Sequence, residues 1–415
     1  MKIARTLAPV GYPIGLGELI RAAAWAFRSP QYRSNVFEPE LARGLNVRTA
    51  LAVSSGKAAL ALTLLALSRL TGRRKVIIPA YTCYSVPSAI VKAGLQVVPC
   101  DVAQDGFDYD YARLAPQLGP DVLCVLSVHL FGIPADTRRL LQLCRETSIF
   151  VVEDAAQAFG GVSQGRRLGT IGDVGIFSLG RGKNITCGSG GVIVTSSQPI
   201  ADALREVTRQ LPSASVAQEV VTFATLVFLS LFILPRLYWF PSALPFLKLG
   251  ETIFHEDFPV HWLSNFQALL LREWEQQLRA LDRVRLENAQ HYFDDLEVMG
   301  DRPEDSATHQ PAHHGHGVPL LRFPVLLRGS ADKHRVLSDL DGRALGMSIM
   351  YPATVARIEQ LSGQLTETSF PHAEAVADRL ITLPTHPLVS ASDRARVCAL
   401  VNQCSSSSVE ARVAS

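Results

Sequence analysis

Between residues 50 and 200 the chain alternates short apolar runs with segments of helical spacing. The runs Val76-Ile-Ile78, Gln96-Val-Val-Pro-Cys100, Val122 to Ser127, Ile149 to Val152 and Gly191 to Thr195 are largely apolar, without strict alternation. Continuous apolar runs mark parallel strands buried on both faces. Segments such as Gly56 to Leu67 fit helices between them, so the pattern predicts an α/β domain with helices covering a mostly parallel sheet. Upstream, Gly17 to Phe27 predicts a helix in a lead-in segment. Val220 to Leu234 carries no charge, Arg236 is the one charge before Lys248, and Pro235, Pro241 and Pro245 interrupt the stretch. Its uninterrupted part is shorter than the roughly 20 apolar residues of a membrane-spanning helix. Asn265 to about Leu296 predicts one long helix, residues 300–318 a loop rich in His, Pro and Gly, and Leu320 to Leu400 a second, smaller α+β unit. The division expected is a lead-in (1–45), a large domain (46–205), a hydrophobic insertion (206–262), the long helix with a small C-terminal domain (263–404), and a disordered tail (405–415).

A length of 415 residues exceeds what one core usually supports, in keeping with two domains. Hydrophobic residues at 47% and charged residues at 19% exclude disordered, coiled-coil and collagen-like chains. Forty Lys+Arg against 38 Asp+Glu leave a charge of +2, so there is no basic field and no nucleic-acid partner is expected. Cys83, Cys100, Cys124, Cys144, Cys187, Cys398 and Cys404 are odd in number and never form a C-x-x-C pair, which argues against a disulfide framework or a zinc site. The start, Met1-Lys-Ile-Ala-Arg5, lacks the apolar core and cleavage site of a signal peptide, so a cytoplasmic setting is expected.

Four pieces in the α/β half can carry chemistry. Ser54-Ser-Gly-Lys-Ala-Ala-Leu60 is a small-residue turn opening a helix, where free amides suit a phosphate. Ile149 to Gln157 is a buried strand ending in Glu153 and Asp154, at the edge where an open parallel sheet binds ligands. A carboxylate there favours a protonated ring nitrogen. Phe177-Ser178-Leu-Gly-Arg-Gly-Lys183 places a hydroxyl and an amine on a glycine-bearing loop, and an amine beside an aldehyde cofactor forms a Schiff base. Gly188-Ser-Gly-Gly191 is a flexible turn leading into a strand. Each piece alone has an ordinary reading as a helix cap, an acidic strand end or metal ligand, a solvated lysine or a loop. Their order along one α/β domain is what points to a site.

With those pieces in place, the chain resembles the DegT/DnrJ/StrS family of pyridoxal-phosphate-dependent nucleotide-sugar aminotransferases. The matching stretches include Val53 to Leu60, Ile78-Pro-Ala-Tyr-Thr-Cys83, Ala93 to Asp101, Val128-His-Leu-Phe-Gly132, Val152-Glu-Asp-Ala-Ala-Gln157, Phe177-Ser178 to Lys183, Phe266-Gln-Ala268, Met350-Tyr-Pro352, Phe370-Pro-His-Ala373 and Leu383 to Pro387. The resemblance implies an aspartate-aminotransferase-like fold, a large, mostly parallel sheet domain with a smaller α+β domain. It implies that Lys183 carries the cofactor and shuttles the proton, and that Asp154 partners the pyridine nitrogen. Gln157 would neighbour the phenolic oxygen, and Ser178 with the amides of Gly56 and Lys57 would hold the phosphate. Implied too are glutamate as amino donor, a nucleotide-linked keto-sugar as acceptor, a homodimer, and a product for polysaccharide, glycolipid or secondary-metabolite synthesis. Two alternatives stay open: a pyridoxal-phosphate elimination or condensation, and a non-catalytic membrane-associated relative.

The chain also departs from the family pattern. Lys57 stands where Thr is usual, and Cys83 where an aromatic ring stacks on the cofactor, with Tyr84 expected to substitute ahead of Tyr81. The Gly-Tyr-Asn-x-Arg stretch is replaced by residues of Phe258-Pro-Val-His-Trp262, removing an Asn and an Arg that reach across the family's dimer. Residues 220–247 read either as a peripheral membrane contact, with Arg236, Tyr238 and Trp239 as an interfacial cluster, or as buried helices or a subunit interface. His309, His313, His314 and His316 read as a surface loop rather than a metal site, and His129 and His386 as structural strand-end residues. Arg181 has two readings, a substrate-anion contact or a solvated charge.

Overall fold

The computed structural model describes residues 5–26, 28–242, 253–296, 317–338 and 344–413, with 404–413 described through the backbone alone. The chain start, Pro245 and Lys248 of the apolar stretch, and the histidines at 309, 313, 314 and 316 lie outside the described residues.

Seven strands form the main sheet, in the order β1 (Thr49–Val53), β9 (Gly191–Thr195), β8 (Val174–Ser178), β5 (Phe150–Asp154), β4 (Val122–Val128), β2 (Lys75–Pro79) and β3 (Gln96–Cys100). From β8 to β3 every pairing is parallel, whereas β9 is antiparallel to both β1 and β8. Six strands therefore run in one direction, as expected of a mostly parallel sheet. Every residue of β4, β8 and β9 is buried, which accounts for continuous apolar runs in place of alternation. A small hairpin pairs β6 (Val162–Ser163) with β7 (Arg166–Arg167).

In the C-terminal third β10 (Arg322–Leu326) pairs antiparallel with β11 (Leu380–Pro384), flanked by the helices Pro371–Arg379 and Ala391–Val413. This second sheet docks on the first where the Leu321 amide donates to the Phe131 carbonyl at 2.8 Å. The last helix carries the backbone to Val413, where the sequence predicts a disordered tail from 405.

The expected long helix is two helices, Asn265–Leu270 and Trp274–Asp295. Leu271 leaves the helical region (φ −104°, ψ 15°), and the Trp274 amide closes a turn onto its carbonyl at 3.0 Å. Leu271 and Trp274 are both buried in the core.

Within the apolar stretch, Val216–Phe232 is a helix opened by a capping box between Ser215 and Gln218. Leu226 is its buried residue and packs over Gly188, where an added Cβ would come within 2.8 Å of the leucine side chain. Val216, Val220, Val221 and Leu231 remain exposed, and so do Leu234, Leu237 and Phe240 beyond it. No helix among the described residues is long and apolar enough to cross a membrane.

Candidate active site

The six co-directional strands present their carboxyl ends at one edge, where open α/β sheets bind ligands. There β1 ends at Val53, and the chain turns through Ser54 and Ser55 into the helix Gly56–Thr71. Ser55 caps that helix: its Oγ accepts from the Ala58 amide (3.1 Å) and its carbonyl from the Ala59 amide (2.9 Å). The amides of Gly56 and Lys57 have no acceptor within the helix. Ser178, at the end of β8, faces them, and a Cβ at residue 56 would come within 2.9 Å of the Ser178 Cβ. Glycine at 56 keeps that place open, so two free amides and a hydroxyl form a cradle for an anion.

Asp154 ends β5 next to this cradle and accepts from the Ala156 amide at 3.0 Å. Burial raises its pKa above the ordinary carboxylate value, opposed by the Ala156 amide, Lys183 and His129. Gly56, Lys57, Asp154, Gln157, Ser178 and Lys183 all line one pocket, together with Cys83 and His129. Another cleft, bordered by Leu141, Cys144, Phe150 and Asp173, lies at the amino end of β5, away from this edge.

Tyr84 does not line the pocket. It sits at the start of the helix Ser85–Lys92, and its hydroxyl donates to the Ala353 carbonyl at 3.2 Å. Tyr81 is buried too, and donates to the Tyr351 carbonyl at 3.3 Å. The wall position where a stacking ring is expected belongs to Cys83.

Gln157 is held at both ends of its amide. Its Oε1 accepts from the Phe131 amide (2.8 Å) and its Nε2 donates to the Tyr351 hydroxyl (2.5 Å). Phe131 has a φ of 60° and Met350, just before Tyr351, a φ of 55°. Left-handed conformations are costly for such residues and cluster at functional sites. Tyr351 was within reach of the sequence only through the Met350-Tyr-Pro352 match, since nothing local ties it to Gln157.

Glu153 points away from the pocket into a buried network. It accepts from His129 Nε2 (2.9 Å) and from the amides of Gly169 (2.9 Å), Ile171 and Gly172 (2.7 Å). Burial would raise its pKa, but the hydrogen bonds from His129 and the loop amides outweigh burial and hold it below the ordinary value. His129 Nδ1 accepts from the Ala135 amide at 3.1 Å, so its proton lies on Nε2. His386 is buried, with Nε2 donating to the Ala8 carbonyl at 2.9 Å, and burial lowers its pKa to about 4. Arg181 is exposed. No cluster of three or more potential metal ligands occurs among the described residues.

Residues 258–262 run beside the cradle. Ser54 donates through its amide to the His261 carbonyl (2.8 Å) and through Oγ to the Pro259 carbonyl (3.1 Å), and Trp262 bridges to Val53. The Arg33 guanidinium lies 4.2 Å over the Trp262 ring and pairs with Glu38. Trp262 thus serves as a packing platform on the edge of β1.

Comparison with known proteins places this geometry. The sequence model of the DegT/DnrJ/EryC1/StrS aminotransferase family matches residues 20–222 and 260–402. The chain is 33% identical over 174 residues to GDP-perosamine synthase of Vibrio cholerae, covering 42% of this chain and 47% of that one. It thus spans about half the length of that relative. Against GDP-perosamine synthase of Caulobacter vibrioides the identity is 27% over 371 residues, 88% of each chain. Among solved structures, Helicobacter pylori PseC, an aminotransferase involved in the biosynthesis of pseudoaminic acid, superposes with a TM-score of 0.73 at 18% identity, covering 97% of this chain and 99% of that one. The fold is the aspartate-aminotransferase-like fold expected.

Proposed function

The chain belongs to the DegT/DnrJ/EryC1/StrS aminotransferase family, and on that footing we propose that it is a pyridoxal-phosphate-dependent transaminase acting on a nucleotide-linked keto-sugar. The amino donor is glutamate, and the amino sugar formed serves a polysaccharide, glycolipid or secondary metabolite made in the cytoplasm. The observation that carries this reading is the convergence of Lys183, Asp154 and the Gly56/Ser178 cradle on one pocket. The GDP-linked names of the relatives support a nucleotide-linked substrate.

The donor set fits the cofactor part by part. The free amides of Gly56 and Lys57 and the Ser178 hydroxyl suit its phosphate, with Gly56 leaving the room a side chain would fill. The Asp154 carboxylate suits its ring nitrogen, the Gln157 amide its phenolic oxygen, and the Lys183 amine its aldehyde. When bound, the cofactor supplies an aldehyde to take up an amine and a ring to accept the electrons released at the donor carbon. Lys183 Nζ would hold the cofactor and, once a free amine, would carry the proton between the donor's α-carbon and the cofactor's aldehyde carbon. Asp154 keeps the ring nitrogen protonated, and that cation in turn offsets the burial that raises the pKa of Asp154. Gln157, fixed by Phe131 and Tyr351, keeps its place while the other groups react.

Absorption spectroscopy tests this reading. The purified protein with added pyridoxal phosphate is expected to develop the visible band of a lysine-linked cofactor, lost on adding glutamate and restored by a nucleotide-linked keto-sugar. A protein that develops no band, or a band that no amino donor removes, sinks it.

The working unit in this reading is a homodimer, and the exposed face of Val216–Phe232 supports it. Leu226 is the helix's one buried residue, and the exposed Val220, Val221 and Leu231 call for a cover of their own. Val221→Glu with Leu231→Glu is expected to convert the dimer to a monomer in light scattering. If the variant stays dimeric but no longer floats with anionic vesicles as the wild type does, residues 220–247 are a membrane contact. Unchanged assembly and unchanged flotation would remove both roles.

A further inference from the structure

Lys57 occupies a position that is unfavourable for a lysine in the structure as it stands. It is the second residue of a sixteen-residue helix whose first turn holds no acidic residue. The positive end of the helix dipole repels a cation there, whereas an anion would be stabilised. Its side chain is half-buried, and burial lowers its pKa from the ordinary lysine value. Among the described residues it makes no ion pair and no hydrogen bond, while Lys92, which shares the Phe258 ring with it, pairs with Asp257. The Lys57 ammonium lies 4.7 Å from the centre of that ring, which orients it without neutralising it. Its backbone borders the anion cradle, and the residue lines the same pocket as Ser178.

A half-buried cation, unpaired at the wrong end of a helix and beside two free amides and a buried hydroxyl, is relieved by an anion. We propose that the Lys57 ammonium is a phosphate ligand, closing the Gly56/Ser178 cradle with a full positive charge from within the same subunit. This rests on the transaminase reading above and deepens it: the cradle binds a dianion through a charge of its own, where Phe258 to Trp262 present none. The shared chemistry is a phosphate group, borne by the cofactor or by the nucleoside diphosphate of the substrate.

The test compares Lys57→Gln and Lys57→Arg with the wild type, using pyridoxal phosphate, pyridoxal, GDP and UDP as probes. Loss of one charge-assisted hydrogen bond is worth about 10- to 100-fold in affinity. Lys57→Gln is expected to weaken pyridoxal phosphate by that factor and to leave pyridoxal, which has no phosphate, unchanged. Lys57→Arg is expected to recover most of the loss. The melting temperature of the cofactor-free variant is expected to stay level or rise, since a repelled cation has been removed; a packing role would lower it. Unchanged pyridoxal phosphate with weaker GDP and UDP binding assigns the charge to the substrate's phosphate instead. Equal loss for pyridoxal phosphate and pyridoxal, or no loss for any phosphate probe, overturns the assignment. A wild-type protein that binds neither form of the cofactor overturns the transaminase reading itself, and this inference with it.

Discussion

Lys183→Ala is expected to lower turnover by about 10⁴-fold or more, because in the proposed transaminase one amine both holds the cofactor and moves the proton. The loss should appear in kcat with the cofactor still bound, since the phosphate cradle of Gly56, Lys57 and Ser178 does not involve the Lys183 side chain. That side chain makes no hydrogen bond or ion pair with a described residue, and its backbone amide bonds to Gly180 regardless of side chain. Stability in urea is therefore expected to change by less than about 1 kcal/mol. A small amine added to the variant should restore part of the activity, which a folding defect would not allow. A variant keeping more than a tenth of wild-type turnover would remove Lys183 from the chemistry, and with it the main support for a transaminase.

The second large effect is on stability. Glu153→Ala is expected to cost about 3–5 kcal/mol, because several buried donors lose their shared acceptor and each one left unsatisfied costs about 1–3 kcal/mol. Removing the carboxylate leaves the Nε2 proton of His129 and the amides of Gly169, Ile171 and Gly172 without the acceptor that gathers them. Those amides belong to the loop that enters β8, so the cost reaches Ser178 as well as Asp154. Urea unfolding at neutral pH measures it, and a loss under about 1 kcal/mol would show that water or rearrangement replaces the carboxylate. The pH dependence has a definite sign. Because the folded-state pKa of Glu153 lies below its unfolded value, the unfolded chain binds more protons in that window. The stabilisation is complete above the unfolded pKa of about 4.3 and is lost as the pH falls through the lower folded value. The gap between wild type and Glu153→Ala should therefore narrow in acid.

Five of the seven main strands were legible because a strand buried on both faces has no polar face to interrupt it. β8 was not, and Gly175 is the reason: a Cβ there would lie 1.8 Å from the Gly169 carbonyl. The close backbone approach that builds the site demands the residue that erases a strand signal. β1 is also hidden, since two of its five residues are alanines, at 50 and 52, which give a weak strand signal. Asp154 could be read as the end of an apolar run, whereas the roles expected of Ser178 and Lys183, at and beyond the end of β8, came only with the family resemblance. Tyr84 misled because stacking depends on where a helix begins, and the helix at Ser85 turns that ring towards Ala353. The break after Leu270 and the exposure of Val220 and Val221 are set by tertiary packing, which an apolar pattern does not encode.

The clamp on Gln157 also orders events in time. Phe131 precedes Gln157 by 26 residues, but Tyr351 follows it by 194. At a synthesis rate of about 5–20 residues per second, the second half of the clamp is made roughly 10–40 s after Gln157. For most of that interval the nascent chain carries Asp154 and Lys183, yet lacks the hydroxyl that accepts from the Gln157 amide. The clamp on Gln157 is thus completed only in the nearly finished chain, long after Lys183 has been translated.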